Sequence, residues 1–171
     1  MSPVITIRPA RTSDELDDVR RLCWEYRDYL LGFDASMKNI VDVFYPVDAY
    51  TALMQDLAGK HARPRGEILL AKRDEHSVGC AMMHALNDQD VEIKRVFVQA
   101  QARGTGAGAQ LSQALIEQAR SDGAKRILLD TNASFTGARR LYEKLGFTQR
   151  GPYSEIPEVA LPMLVFYELK L

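Results

Sequence analysis

The segment VEIKRVFVQAQARGTGAGAQL, residues 91–111, joins a strand, a turn and the start of a helix without a gap. Val91 and Ile93 alternate with Glu92 and Lys94, the two-residue period of a strand with one buried face. After Arg95 the apolar residues fall at Val96 and Val98, in the opposite phase. A one-residue slip sends a buried face to solvent. A β-bulge near Lys94-Arg95-Val96 restores it by inserting one residue. The other reading is a strand buried on both faces. From Arg103 onward the pattern changes: Gly104, Gly106 and Gly108 lead into Leu111, Leu115 and Ala119 at helical spacing, with Gly123 as the stop.

A helix start presents backbone N–H groups without internal partners and the positive end of the dipole. Glycines let an anion approach that backbone closely. Arg103 adds a permanent charge with forked donors. The turn therefore suits a pyrophosphate, although taken alone it also reads as a tight connection. Gly104-Thr-Gly106-Ala-Gly108-Ala109 formally fits the dinucleotide fingerprint, with Asp130 at the end of the next strand. That fold needs further strand–helix–strand units, and only roughly 40 residues follow Asp130. The dinucleotide reading is set aside on topology.

Outward from this unit, residues 125–131 (KRILLDT) form an apolar strand, 135–145 a last helix with Leu141 and Leu145 inward, and 147–149 and 163–171 final strands. Upstream, 66–73, 77–86 and 91–98 read as three strands joined by short polar turns, an antiparallel arrangement. Residues 3–8 make a first strand. Thr12 and Glu15 have capping-box spacing before a helix over roughly 13–31, and Pro46 opens a second helix. Residues 32–46 read as irregular and aromatic-rich.

Composition excludes several classes. The chain has 22 Lys and Arg against 23 Asp and Glu, a formal charge of −1, which is not a nucleic-acid footprint. The two cysteines, Cys23 and Cys80, read as packed reduced thiols. His61, His76 and His84 are too scattered for a metal site, so no metal is expected. The start lacks a signal-peptide pattern and no apolar run suggests a membrane span, so a cytoplasmic protein without membrane contact is expected.

The assembled residues resemble the GNAT superfamily of N-acetyltransferases. The family's Arg/Gln-x-x-Gly-x-Gly/Ala signature matches Arg103-Gly-Thr-Gly106-Ala-Gly108, and a second mark matches Ala138-Arg-Arg-Leu141-Tyr142-Glu-Lys-Leu145-Gly146-Phe147. A bacterial branch is similar at Glu92-Ile-Lys94-Arg95-Val-Phe-Val98, Leu31-Gly-Phe33-Asp34 and Leu129-Asp130-Thr131. The resemblance covers nearly the whole chain and implies one N-acetyltransferase domain over 1–171. The fold expected is mixed α/β: a central, mostly antiparallel sheet of about seven strands, splayed between the fourth and fifth and flanked by about four helices.

The resemblance further implies acetyl-CoA as co-substrate. Its pantetheine arm would pair with backbone around Phe97 and Val98, and its pyrophosphate would sit on Arg103, Gly104, Thr105, Gly106, Ala107 and Gly108, with Ser134, Ala138 and Tyr142 completing the site. Many members carry asparagine where this chain has Phe135. Arg139, Arg140 and Lys144 read as solvated side chains or as contacts for the 3′-phosphate.

Acetyl transfer by direct attack needs a neutral amine and a proton for the departing thiolate. Tyr142 is the expected acid, because a phenol holds its proton at neutral pH; the alternative is a packing tyrosine. Glu92 is the expected base, acting through water, or else a salt-bridge partner. A backbone N–H near Val98 would serve the oxyanion. Tyr26, Tyr29, Phe33, Asp34 and Tyr153 are candidate walls of the acceptor pocket, for a small-molecule or peptide amine, or are packing residues. A non-catalytic acyl-CoA sensor or partner-binding module is the rival function. Exposed strand edges allow a homodimer.

Overall fold

The computed structural model describes residues 4–171. One seven-stranded sheet runs through it, in the order β1 (Ile5–Pro9), β2 (Glu67–Arg73), β3 (His76–Ala85), β4 (Asp90–Val98), β5 (Arg126–Asn132), β7 (Leu164–Lys170) and β6 (Thr148–Arg150). All neighbours are antiparallel except β4 and β5. The predicted start of β1 at Pro3 lies outside the described residues. No helix is long and apolar enough to cross a membrane among the described residues.

Among the described residues six α-helices accompany the sheet, where about four were expected, the extra ones being short: α1 (Ser13–Phe33), α2 (Met37–Phe44), α3 (Val47–Gln55), α4 (Leu57–Lys60), α5 (Ala107–Ser121) and α6 (Thr136–Lys144). The capping box forms as the sequence reads: Thr12 Oγ1 accepts from the Glu15 amide at 3.2 Å and Glu15 Oε1 from the Thr12 amide at 3.0 Å. The segment read as irregular contains α2, which buries Met37, Ile40 and Val41. Asp34 Oδ1 accepts the Ser36 and Met37 amides and so starts this helix.

Two cores lie on opposite sides of the sheet. On one side Leu111, Leu115 and Ala119 of α5 pack against Val91 and Ile93 of β4 and against Ile127 and Leu129 of β5. On the other, Val19, Leu22 and Cys23 of α1, with Tyr50 and Met54 of α3, pack on Ile68, Leu70, Cys80, Met82 and Phe97. Cys23 and Cys80 are buried free thiols. The phase change along β4 is the predicted bulge. Met82 pairs with Lys94 and Cys80 with Phe97, so Arg95 and Val96 stand opposite the single residue Ala81. Arg95 takes φ 53°, an uncommon value outside glycine. Val96 and Val98 thereby return to the side of Val91 and Ile93.

β4 and β5 pair only through Asp90–Arg126, Val91–Ile127 and Glu92–Leu128. Beyond Glu92 the strands diverge, and a wedge opens in the middle of the sheet.

Candidate active site

The wedge holds a cavity of about 630 Å³ that reaches from the turn before α5 to the side chain of Tyr142. Its loop end is built from backbone. Gly104 has φ 81°, and Gly106, the N-cap of α5, has φ 86°. L-residues with side chains strain at such angles, so glycine is required at both positions. Gly108 differs: it is helical, and an added Cβ would meet Leu141 Cδ2 at 3.6 Å and Val98 Cγ2 at 3.9 Å, ordinary contacts. The turn aims the unpaired amides of the first turn of α5 at the cavity.

Of the residues expected at the cofactor, Phe97, Val98, Arg103, Gly104, Gly106, Ala107, Gly108, Ser134, Ala138 and Tyr142 all line this cavity. Thr105 does not; its hydroxyl turns back onto the Ala102 carbonyl. Arg103 Nε donates to the Val98 carbonyl at 3.2 Å, and its guanidinium lies 4.7 Å from the Tyr29 ring centre. The arginine therefore crosses the open edge of β4. Arg139 is tied to Tyr167 Oη at 3.2 Å and the Ala133 carbonyl at 3.0 Å, whereas Arg140 and Lys144 are exposed.

Phe135, where the resemblance would give an asparagine, packs edge-on to Phe33 at 4.7 Å and beside Tyr29 at 5.9 Å. It forms a wall of the cavity. Asn132 does not stand in for the missing amide. Its Oδ1 accepts the Ser134 amide at 2.7 Å, and its Nδ2 lies 2.9 Å from Met37 Sδ.

Tyr142 is the inward residue of α6, buried with the core, while Leu141 is only half-buried, the reverse of the order read from the sequence. The helix turns its phenol into the wedge. The Tyr142 side chain lines the main cavity. Burial, aided by the charge of Asp130, pushes this phenol above its ordinary range.

Glu92 stands at the apex of the wedge and lines two smaller cavities of about 230 and 350 Å³ beside the first. His84 Nε2 lies 2.8 Å from Glu92 Oε1, and the Tyr153 hydroxyl donates to Oε2. Burial alone would raise the Glu92 carboxyl, but the His84 hydrogen bond, the Lys94 charge and the Tyr153 hydrogen bond outweigh it and hold it at about 2. Burial pushes Asp130 upward against the opposing pull of Lys94.

Tyr26, Tyr29 and Phe33, candidate walls of the acceptor pocket, line the main cavity, and Tyr26 also faces the 230 Å³ cavity. Tyr153 acts through Glu92 and lines none of the three. Asp34 is a correction: it is exposed and serves α2, because its carboxylate is used by the Ser36 and Met37 amides. Lys94, Asp130, Tyr45 and His84 were not among the expected site residues. Lys94 was findable, since it shares the face of Glu92 two residues away. Tyr45 and His84 come from distant segments that only the fold brings together.

Comparison with known proteins agrees with this geometry. A sequence model described as the acetyltransferase (GNAT) family matches residues 34–147. An uncharacterized N-acetyltransferase of Schizosaccharomyces pombe is 29% identical over 170 residues, 98% of this chain and 95% of that protein. The IAA acetyltransferase of Azospirillum brasilense is 30% identical over 140 residues, 77% of this chain and 90% of that protein. The structure of yncA from Salmonella typhimurium with its cofactor acetyl-CoA superposes with a TM-score of 0.65, at 22% identity, covering 97% of this chain and 93% of that one. With the splayed sheet, the glycine turn and these relatives together, the chain belongs to the acetyltransferase (GNAT) family of acyltransferases.

Proposed function

We propose that this single domain transfers an acetyl group from acetyl-CoA to a primary amine by direct attack in a ternary complex. One observation carries the reading. A single cavity connects the glycine-rich start of α5 to the side chain of the buried Tyr142, along the open edge of a strand. The pyrophosphate belongs at Gly104–Gly108 and the pantetheine arm along Phe97 and Val98. For the arm to pair there, Arg103 must release the Val98 carbonyl and turn to the phosphates.

The amine nitrogen attacks the thioester carbonyl carbon, forming the C–N bond and then expelling CoA thiolate. The thiolate takes the Tyr142 proton and leaves as the thiol. The amine's surplus proton passes through water toward Glu92, and Tyr142 is reprotonated from solvent. Held near 2, Glu92 is a weak base; it attracts and orients the ammonium, and His84, hydrogen-bonded behind it, fixes its carboxylate. Positioning contributes much of the acceleration.

Calorimetric titration with acetyl-CoA tests the reading, run beside an Arg103→Ala, Gly106→Glu double variant, with release of free CoA thiol followed over an amine panel. Binding lost in the variant and amine-dependent thiol release are expected. Binding without turnover of any amine would leave a non-catalytic acyl-CoA module. No binding at millimolar acetyl-CoA would end the proposal.

A further inference from the structure

The 350 Å³ cavity beside Glu92 is short of negative charge. Lys60, Lys94 and Arg95 line it, and Glu92 is its one carboxylate. That carboxylate is already engaged by His84 and Tyr153. Arg95 is buried at 6% exposure, held by the bulge with its side chain against Met82 Sδ at 3.3 Å and His61 Nε2 at 2.8 Å. Neither partner is an anion. His61 Nδ1 faces the Met83 carbonyl at 2.8 Å, so this nitrogen donates and Nε2 offers its lone pair to the guanidinium. Burial lowers the His61 pKa to about 3 and keeps the ring neutral.

Lys94 lines all three cavities and has no hydrogen-bond or ion-pair partner among the described residues. The charges facing it from other elements are Asp130 on β5 and its strand neighbours Glu92 and Arg95, with the Tyr45 hydroxyl opposite. Buried cations are ordinarily paired, because an unpaired one loses its hydration without return. Asp130 and Glu92 act on Lys94 only through space, and the buried Arg95 has no carboxylate among its hydrogen-bond partners, so the cavity keeps room for an anion in direct contact with both cations.

The geometry points to an acceptor that brings this anion with it: a small amine carrying a carboxylate, that is, an amino acid whose carboxylate rests at Lys94 and Arg95. Its amine then lies between Glu92 and the thioester, because Lys94 stands where the three cavities meet. Its side chain enters the 230 Å³ cavity, whose lining mixes the apolar Leu30, Met37 and Ile40 with the carboxylates of Glu92, Asp130 and Glu155. The product is the N-acetyl amino acid and free CoA thiol, with the C–N bond formed and the C–S bond broken as above. This inference rests on the acetyl-transfer reading.

The test compares kcat/KM for the standard amino acids, for the carboxamide of the best one and for its decarboxylated amine, with wild type and Lys94→Met. Wild type is expected to prefer the amino acid over both neutralised analogues by about 10- to 100-fold, the range of a charge-assisted hydrogen bond. Lys94→Met should bring that ratio to within about threefold while acetyl-CoA still binds. Preference of wild type for the carboxamide or the plain amine overturns the inference by itself, whether or not the variant folds. So does acetylation of polyamines or peptides with no turnover of amino acids. Absence of acetyl-CoA binding instead overturns the reading beneath it.

Discussion

The two ends of the wedge are made of different material. At the α5 end the groups offered to the cavity are backbone amides, and Gly104 and Gly106 are set by the angles they permit. At the Glu92 end every polar group is a side chain, gathered from β3, β4, β5 and the segments around Tyr45 and Tyr153. The first end is a short run of sequence that any chain needing a phosphate cradle can reuse. The second is an arrangement in space, and it is free to vary with the acceptor. The contrast predicts that conservative side-chain changes hurt most where charge and protons move, and that the turn tolerates side chains wherever φ is negative.

The largest effect is expected at Tyr142. Tyr142→Phe removes one oxygen and keeps the packing, so kcat should fall by about 100-fold or more, with little change in acetyl-CoA affinity. Steady-state thiol release and calorimetry separate the two. An unchanged kcat would make Tyr142 a packing residue. The pH profile sharpens the point. Glu92, held near 2, is already ionised well below neutrality and adds no limb there. Tyr142, displaced upward by burial, keeps its proton past the ordinary phenol value of about 10. kcat/KM should therefore rise as the acceptor ammonium loses its proton and hold level to about pH 10. A fall beginning below about pH 9 would point to another acid.

Glu92→Gln comes next. The amide keeps the size of the side chain but removes the charge that orients the ammonium. kcat/KM for the acceptor should drop by about 10- to 100-fold, while acetyl-CoA, bound along the other cavity, is held as before. A matching loss of acetyl-CoA affinity would mean that the two ends are not separable.

How much of this was readable from sequence follows the same division. The bulge announced itself, because Val91 and Ile93 are out of phase with Val96 and Val98 and one core must receive all four. The capping box at Thr12 and Glu15 and the glycine turn are local signals of the same kind. The helix α2 was missed although Met37, Ile40, Val41 and Phe44 have helical spacing. The stretch 32–46 read as irregular because its aromatics mask the pattern, and eight residues leave little room for periodicity to speak. That miss also misplaced Asp34, whose carboxylate starts the helix. The Lys94–Arg95 cavity was illegible for a different reason. Its cations are recognisable as unpaired only once the neighbours supplied by distant segments are known.

The glycines supply the smaller effects, and the contrast between two of them isolates the backbone argument. Gly106→Val places a β-branched residue at φ 86°. Strain of about 1–2 kcal/mol, relieved by displacing the turn, should weaken acetyl-CoA binding by roughly 10-fold. Gly108 lies two residues further on, inside the helix. A methyl group there meets only Leu141 and Val98 at ordinary contact distances. Gly108→Ala also removes freedom from the unfolded chain, so stability should rise by about 0.5–1 kcal/mol, read as a higher denaturation midpoint, while acetyl-CoA affinity stays within about threefold. If the two variants behaved alike, the turn would be recognising its ligand through open space above both glycines and not through the angles that only Gly106 requires.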